Sequence, residues 1–236
     1  MPGFFVGEIK YTYPHPPLDI RILLVLENAV RKAWEILKDN QPNSFYLDSA
    51  SEKSVTIALL DIMEELRTTG IVDGFSNKEF ETVIREGKLT NFDGQHPDKE
   101  PDFVFRLTEV RVGTKKLQDG IITECKPVDK AHPVGSNYCK KGLIRFINGD
   151  YAWAMQSGMM IGYVDNAYTI FPKLSDSLKK DKGLYNSKGE PVACPLSEKL
   201  NISPMVYKTI HERKWQYPQN GKKAPDITIR HLWLTK

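Results

Sequence analysis

Two short apolar runs, each charged at one end, constrain this chain more than any other feature. The first is Glu100-Pro101-Asp102-Phe103-Val104-Phe105, and the second is Ile121-Ile122-Thr123-Glu124-Cys125-Lys126-Pro127. Asp102 opens one run and Glu-x-Lys closes the other, with 21 residues between Asp102 and Glu124. The intervening segment, 106–120, is polar and carries two glycines, so the pair reads as a β-hairpin with a long, mobile connection. Side chains alternate across a strand, which puts Glu124 and Lys126 on one face and Cys125 on the other. Pairing of the strands then brings Asp102 to the same end. Two carboxylates and an ammonium converge there.

That constellation has a chemical meaning. Two fixed carboxylates with an open position suit Mg²⁺, a hard cation that takes one or two carboxylates and fills its shell with water and substrate phosphate oxygens. A lysine beside such an ion orients water or stabilises developing negative charge. The alternative is a solvated surface hairpin with an i, i+2 Glu–Lys pair. Ile121 and Ile122 argue against it, because they set the charges at the end of a buried strand, where isolated charge is costly.

Pro101-Asp102 followed by Glu124-Cys125-Lys126 resembles the signature of the PD-(D/E)xK, restriction-endonuclease-like nuclease superfamily, over about residues 51–164. The resemblance implies an α/β fold: a restriction-endonuclease-like core with a central mixed β-sheet flanked by helices. It implies Mg²⁺-dependent hydrolysis of a phosphodiester by direct attack of water, with Mn²⁺ as a substitute metal and DNA as the favoured polymer. Asp102 and Glu124 would hold the metal, the backbone carbonyl of Cys125 would be a further ligand, and Lys126 would assist the water. Small bacterial members of the superfamily serve in restriction and anti-phage defence, so the resemblance points to a cytoplasmic nuclease acting alone, as a homodimer, or within a defence complex.

The remaining sequence is read around that hairpin. A Pro-rich, aromatic N-terminal arm, 1–17, reads as irregular and packed on the surface. Ile22, Leu23, Leu26, Val30, Ala33 and Leu37 recur at helical spacing across 18–38, with Glu27 and Glu35 off the stripe and solvated, and Asn40-Gln41-Pro42-Asn43 stops the helix. A second helix spans 51–69 with Gly70 as its C-cap, and Val55, Leu59, Ile62, Met63 and Leu66 form its inward face. Glu52 falls on that same face. It reads either as a first-turn acid favoured by the helix dipole or as the additional helix-borne acid that many PD-(D/E)xK enzymes place beside the metal.

After the hairpin come a loop at 127–136, a helical stretch interrupted at Gly149, and a strand at 159–164. This β-β-α-β order is that of the superfamily core. Lys140, Lys141 and Arg145 cluster in the crossover, with Lys141 and Arg145 four residues apart and so on one helix face. They read as phosphate-backbone contacts or as a solvated basic face. Gln156 resembles the crossover glutamine of the QxxxY subset, although Met160 stands where that pattern has tyrosine. The segment 172–200 is rich in Lys, Ser and Gly and reads as a mobile insertion. Two β-rich runs, 205–215 and 226–234, close the chain as a C-terminal β-hairpin around Asn220-Gly221. His211 and Arg213 read as approaching phosphates at the cleft, or as a paired strand face.

Composition sets the outer bounds. With 236 residues, 40% hydrophobic and 27% charged, the chain builds one sizeable core and reads as a single domain. No apolar run is long enough for a membrane span, and the N-terminus lacks the charged-then-apolar pattern of a signal peptide. Three cysteines without CxxC spacing exclude a disulfide scaffold and fit a reducing cytoplasm. The net charge of +3 permits a nucleic-acid partner only where it is clustered. Two other function classes fit the composition: an inactive nuclease-fold scaffold and an unrelated partner-binding α/β domain. Retention of Asp102, Glu124 and Lys126 together disfavours the first.

Overall fold

The fold is a computed structural model that describes residues 11–40, 45–165, 170–195 and 205–236. The first ten residues of the expected arm, the helix stop at 41–43 and positions 196–200 of the lysine-rich segment lie outside them. An open, mixed seven-stranded sheet organises the rest, in the order β1-β2-β3-β4-β7-β6-β5. The strands are β1 (Ile84–Arg85), β2 (Phe103–Phe105), β3 (Ile121–Val128), β4 (Ser157–Val164), β5 (Val192–Ala193), β6 (Val206–His211) and β7 (Ile227–Thr235). β2 and β3 pair antiparallel, with Phe103 opposite Thr123 and Phe105 opposite Ile121. β3, β4 and β7 run parallel, and β6 returns antiparallel to β7. The expected hairpins are both present.

Helices cover both faces, as a parallel sheet centre requires. On one face α1 (Ile20–Asp39) and α2 (Glu52–Thr69) pack over Phe103, Phe105, Ile121, Cys125, Met159 and Ile161. On the other, a π-helix (Val134–Leu143), α3 (Ile144–Ile147) and α4 (Ile170–Lys180) cover Val104, Ile122, Val128, Met160 and Ile229. A short helix α5 (Lys182–Tyr185) follows, so the expected insertion is partly helical. The predicted C-cap is in place, and Ser51 caps the other end. The Ser51 hydroxyl accepts the Ser54 amide at 3.1 Å, and Gly70, at φ 66°, donates its amide to the Leu66 carbonyl.

Several expectations are corrected. The 106–120 connection is no loose loop: Arg106, Thr114, Gln118 and Asp119 are buried, and it carries a 3₁₀ turn at Lys116–Gln118. Gly120 ends it where a Cβ would lie 2.4 Å from the Phe105 carbonyl oxygen, so only glycine lets the chain re-enter the sheet there. Pro127 belongs to β3 rather than to a loop. The described part of the N-terminal arm is anchored rather than laid on the surface: Tyr13 is buried and stacks on Trp153 and Tyr217. Glu27, expected in solvent, is fully buried and accepts from the Arg230 guanidinium of β7. Glu35 is exposed as expected and pairs with Lys32.

His211 and Arg213 do not approach a cleft. Both are fully buried. Arg213 donates to the carbonyls of Ala152, Trp153, Met155 and Pro225, tying the end of β6 to the segment before β4. His211 Nδ1 faces the Tyr185 carbonyl at 2.8 Å, so it carries the proton and Nε2 accepts from the Thr209 hydroxyl at 2.7 Å. The Thr209 oxygen then accepts from His231 Nε2 at 2.8 Å, and His231 Nδ1 accepts from the Tyr138 hydroxyl at 2.9 Å. Every proton in the run is assigned with both imidazoles neutral.

Two stability predictions follow from these buried groups. Removing one partner of a buried ion pair strands the other, so Glu27→Ala should cost about 3–5 kcal/mol in urea unfolding. A loss under about 1 kcal/mol would contradict the pairing. Burial holds His211 down to about 4 and His231 to about 3. Their folded values lie below the ordinary histidine value of about 6.5, so their contribution is complete above that pH and is lost as pH falls towards 4. Urea midpoints at about pH 7 and about pH 5 should differ less in His231→Gln than in wild type; an equal difference would contradict the assignment.

Candidate active site

The last residues of β3 carry buried charge. Glu124 and Lys126 are 1% and 7% exposed, and alternation directs both towards the π-helix layer. The Lys126 ammonium donates to the Cys125 carbonyl at 2.8 Å and to Glu52 at 2.7 Å. It lies 3.0 Å from Glu124 Oε1 and 4.0 Å from Asp102 Oδ2. Asp102 is held independently, because its carboxylate accepts the Cys125 amide at 2.6 Å. Helix α2 therefore delivers Glu52 from 74 residues away to the ammonium of the hairpin.

Arg145 joins from α3. Its guanidinium lies 3.3 Å from Glu124 Oε1 and donates to the Tyr151 hydroxyl, which donates in turn to the Glu100 carbonyl at 2.7 Å. The Arg145 side chain stays 39% exposed, so it both touches the buried acid and faces solvent. Two glycine and amide contacts keep the crossover close. A Cβ on Gly142 would meet Met160 Cε at 2.6 Å and Lys126 Cγ at 3.4 Å, and Asn137 donates to the Pro127 carbonyl at 3.1 Å. The helix can thus lie on the lysine stem.

Three carboxylates meet two cations here, and the imbalance appears in their protonation. Burial and then the neighbouring Asp102 push the Glu124 carboxyl up to about 7, against Lys126 and Arg145. Burial also raises Asp102. For Lys126, burial opposes the charged form, but Glu124, Asp102 and Glu52 together outweigh it and hold the ammonium protonated. Among the described residues no three His, Cys, Asp or Glu side chains converge tightly enough to hold a metal by themselves. Mg²⁺ does not require that: one or two carboxylates, waters and substrate oxygens complete its shell. The donor set of Asp102, Glu124 and the Cys125 carbonyl is all oxygen and carries negative charge. It fits a hard cation.

Of the residues singled out in the sequence, Glu52, Asp102, Glu124, Cys125, Lys126 and Arg145 come together. Lys140 and Lys141 are exposed on the π-helix. The helix is wider than the expected α-helix there, since the Ile144 amide bonds to the Cys139 carbonyl, five residues back. Gln156 donates to the His15 carbonyl at 2.9 Å and holds the N-terminal arm rather than the cluster. Tyr151 was missed as a site residue. Its aromatic neighbours mark it only as core, and its hydroxyl partner is set by tertiary packing.

No family model, curated protein or solved structure matches the chain. Among the described residues no helix is long and apolar enough to cross a membrane.

The cluster makes a direct spectroscopic prediction. The Glu124 carboxyl of the metal-free protein should titrate near 7 by carbon-13 NMR, and replacing Arg145 with Leu should raise it further by removing a stabilising cation. Titration in the ordinary glutamate range, about 4, would contradict the burial and charge imbalance described above.

Proposed function

We propose that this chain is a PD-(D/E)xK nuclease, with a restriction-endonuclease-like core, that hydrolyses phosphodiester bonds of nucleic acid, DNA foremost, in the bacterial cytoplasm. The observation that carries the reading is the meeting of Asp102, Glu124 and Lys126 with a helix-borne Glu52 at one strand end. These groups come from three separate stretches of sequence, and a surface Glu–Lys pair accounts for none of that convergence.

Asp102, Glu124 and the Cys125 carbonyl would hold Mg²⁺ or Mn²⁺, which would supply, when bound, polarisation of the phosphoryl group and acidification of a coordinated water, and Glu52 would orient water beside it. The chain's own groups do the rest. Lys126 keeps its proton and sets an ammonium beside the acids, where it orients an attacking water or offsets charge growing on the phosphoryl oxygens. Arg145, steadied by Tyr151, turns its solvent-facing edge to a backbone phosphate. Lys140 and Lys141 lie on the same crossover and suit contacts further along the polymer. Burial of Glu124 excludes bulk water from one side of the cluster, so each of these interactions acts in a medium of reduced screening.

Plasmid DNA, single-stranded DNA and RNA, each incubated with Mg²⁺ or Mn²⁺, provide the test. Wild type should cut at least one of them, and Asp102→Ala and Lys126→Ala should each lose about a hundredfold or more of that rate. Cutting that survives both substitutions, or silence of wild type on all substrates with both metals, would defeat the proposal.

A further inference from the structure

Strand alternation sends Cys125 away from the charged cluster, into the apolar layer beneath α1 and α2. From there a continuous run of hydrogen bonds leads back to the site. The Thr56 hydroxyl donates to the Glu52 carbonyl at 2.9 Å. That uses its only proton, so its oxygen accepts from the Tyr163 hydroxyl, 3.1 Å away. Tyr163 lies on β4, opposite Pro127 of β3, so the two bonds join α2 to the sheet beside Glu124-Cys125-Lys126. Thr56, Tyr163 and Cys125 are all buried, and Tyr163 is further fixed by a parallel stack on Trp34, with centroids 5.5 Å apart.

The run starts at Tyr163 of β4 and ends on the residue whose carboxylate meets Lys126. It lies on the face of the sheet opposite the charged cluster. Packing alone would be served as well by Val and Phe, which carry no hydroxyl to desolvate. The first turn of a helix also lacks intrahelical partners for its amides and frays unless tied down. Glu52 sits in that turn with its side chain 35% exposed; the Ser51 cap holds the turn together, and Thr56 with Tyr163 fixes it against the sheet.

We propose that Thr56 and Tyr163 are positioning residues that tie the first turn of α2 to β4, the neighbour of β3, and thereby set Glu52 against Lys126, on the reading of this cluster as the active site. Neither touches the acids or the ammonium. They act through Glu52.

The test uses Thr56→Val, Thr56→Ser and Tyr163→Phe in the full chain, with a fluorogenic DNA oligonucleotide and Mg²⁺. Thr56→Val and Tyr163→Phe should lower kcat about tenfold with KM changed less than about twofold. Thr56→Ser, which keeps the hydroxyl, should restore turnover. In a Glu52→Gln background Thr56→Val should cost nothing more, since the two act as one unit. Independently of activity, amide hydrogen exchange across residues 52–58 of the metal-free protein should speed up about tenfold in Thr56→Val and Tyr163→Phe but not in Thr56→Ser. Equal losses for Val and Ser, a full Thr56→Val cost in the Glu52→Gln background, or unchanged exchange would each overturn the tether. Silence of wild type on the oligonucleotide would count against the nuclease reading instead, and exchange alone would then decide the tether.

Discussion

The Lys126 ammonium is the contact on which the arrangement turns. It binds a carboxylate from α2, another from its own strand and the carbonyl of Cys125, with Asp102 at the edge of its reach. A buried lysine or a buried glutamate alone would be expelled or neutralised. Together they persist because each offsets the desolvation of the other, and because Arg145 adds a second cation against Glu124. Replacement by apolar residues of similar volume would stabilise such a site as readily as it would damage it. Stability alone therefore does not account for the cluster.

The sheet supplies the geometry for that contact. β3 lies inside the sheet, paired antiparallel to β2 over its first three residues and parallel to β4 from Thr123 on, and where β2 ends the Asp102 carboxylate takes the Cys125 amide instead. One face presents Glu124 and Lys126 to the π-helix, while the other presents Cys125 to α2. Gly142 lets the crossover lie against the lysine stem. Glu52, Glu124, Lys126 and Arg145 thus come from helices and a strand, and Asp102 from the bend just before β2.

Local signals in the sequence carry much of this. Helical periodicity and caps place α1 and α2, the phase of Glu52 on α2 puts it on the inward side, and strand alternation separates Cys125 from its neighbours. Long-range pairing is where such reading ends. Glu27 looks solvated until Arg230, 203 residues later, is set beside it by β7. Arg213 reads as a cation free for phosphate, yet four carbonyls around it are brought there by packing. The π-helix has no periodic sequence mark, so its wider turn is invisible before the backbone is seen. Tyr151 fails for a similar reason. An aromatic side chain reveals its burial before it reveals the partner of its hydroxyl.

The central claim is that this strand end takes a divalent cation through the folded chain's acids. Thermal unfolding with Mg²⁺ and with Mn²⁺, beside a metal-free control, tests it most directly, since an ion that binds only the folded state raises stability by mass action. The account predicts a midpoint that climbs with metal concentration in wild type and stays flat in a Glu124→Ala, Asp102→Ala double variant. A flat response in wild type, or an equal climb in both proteins, would contradict it.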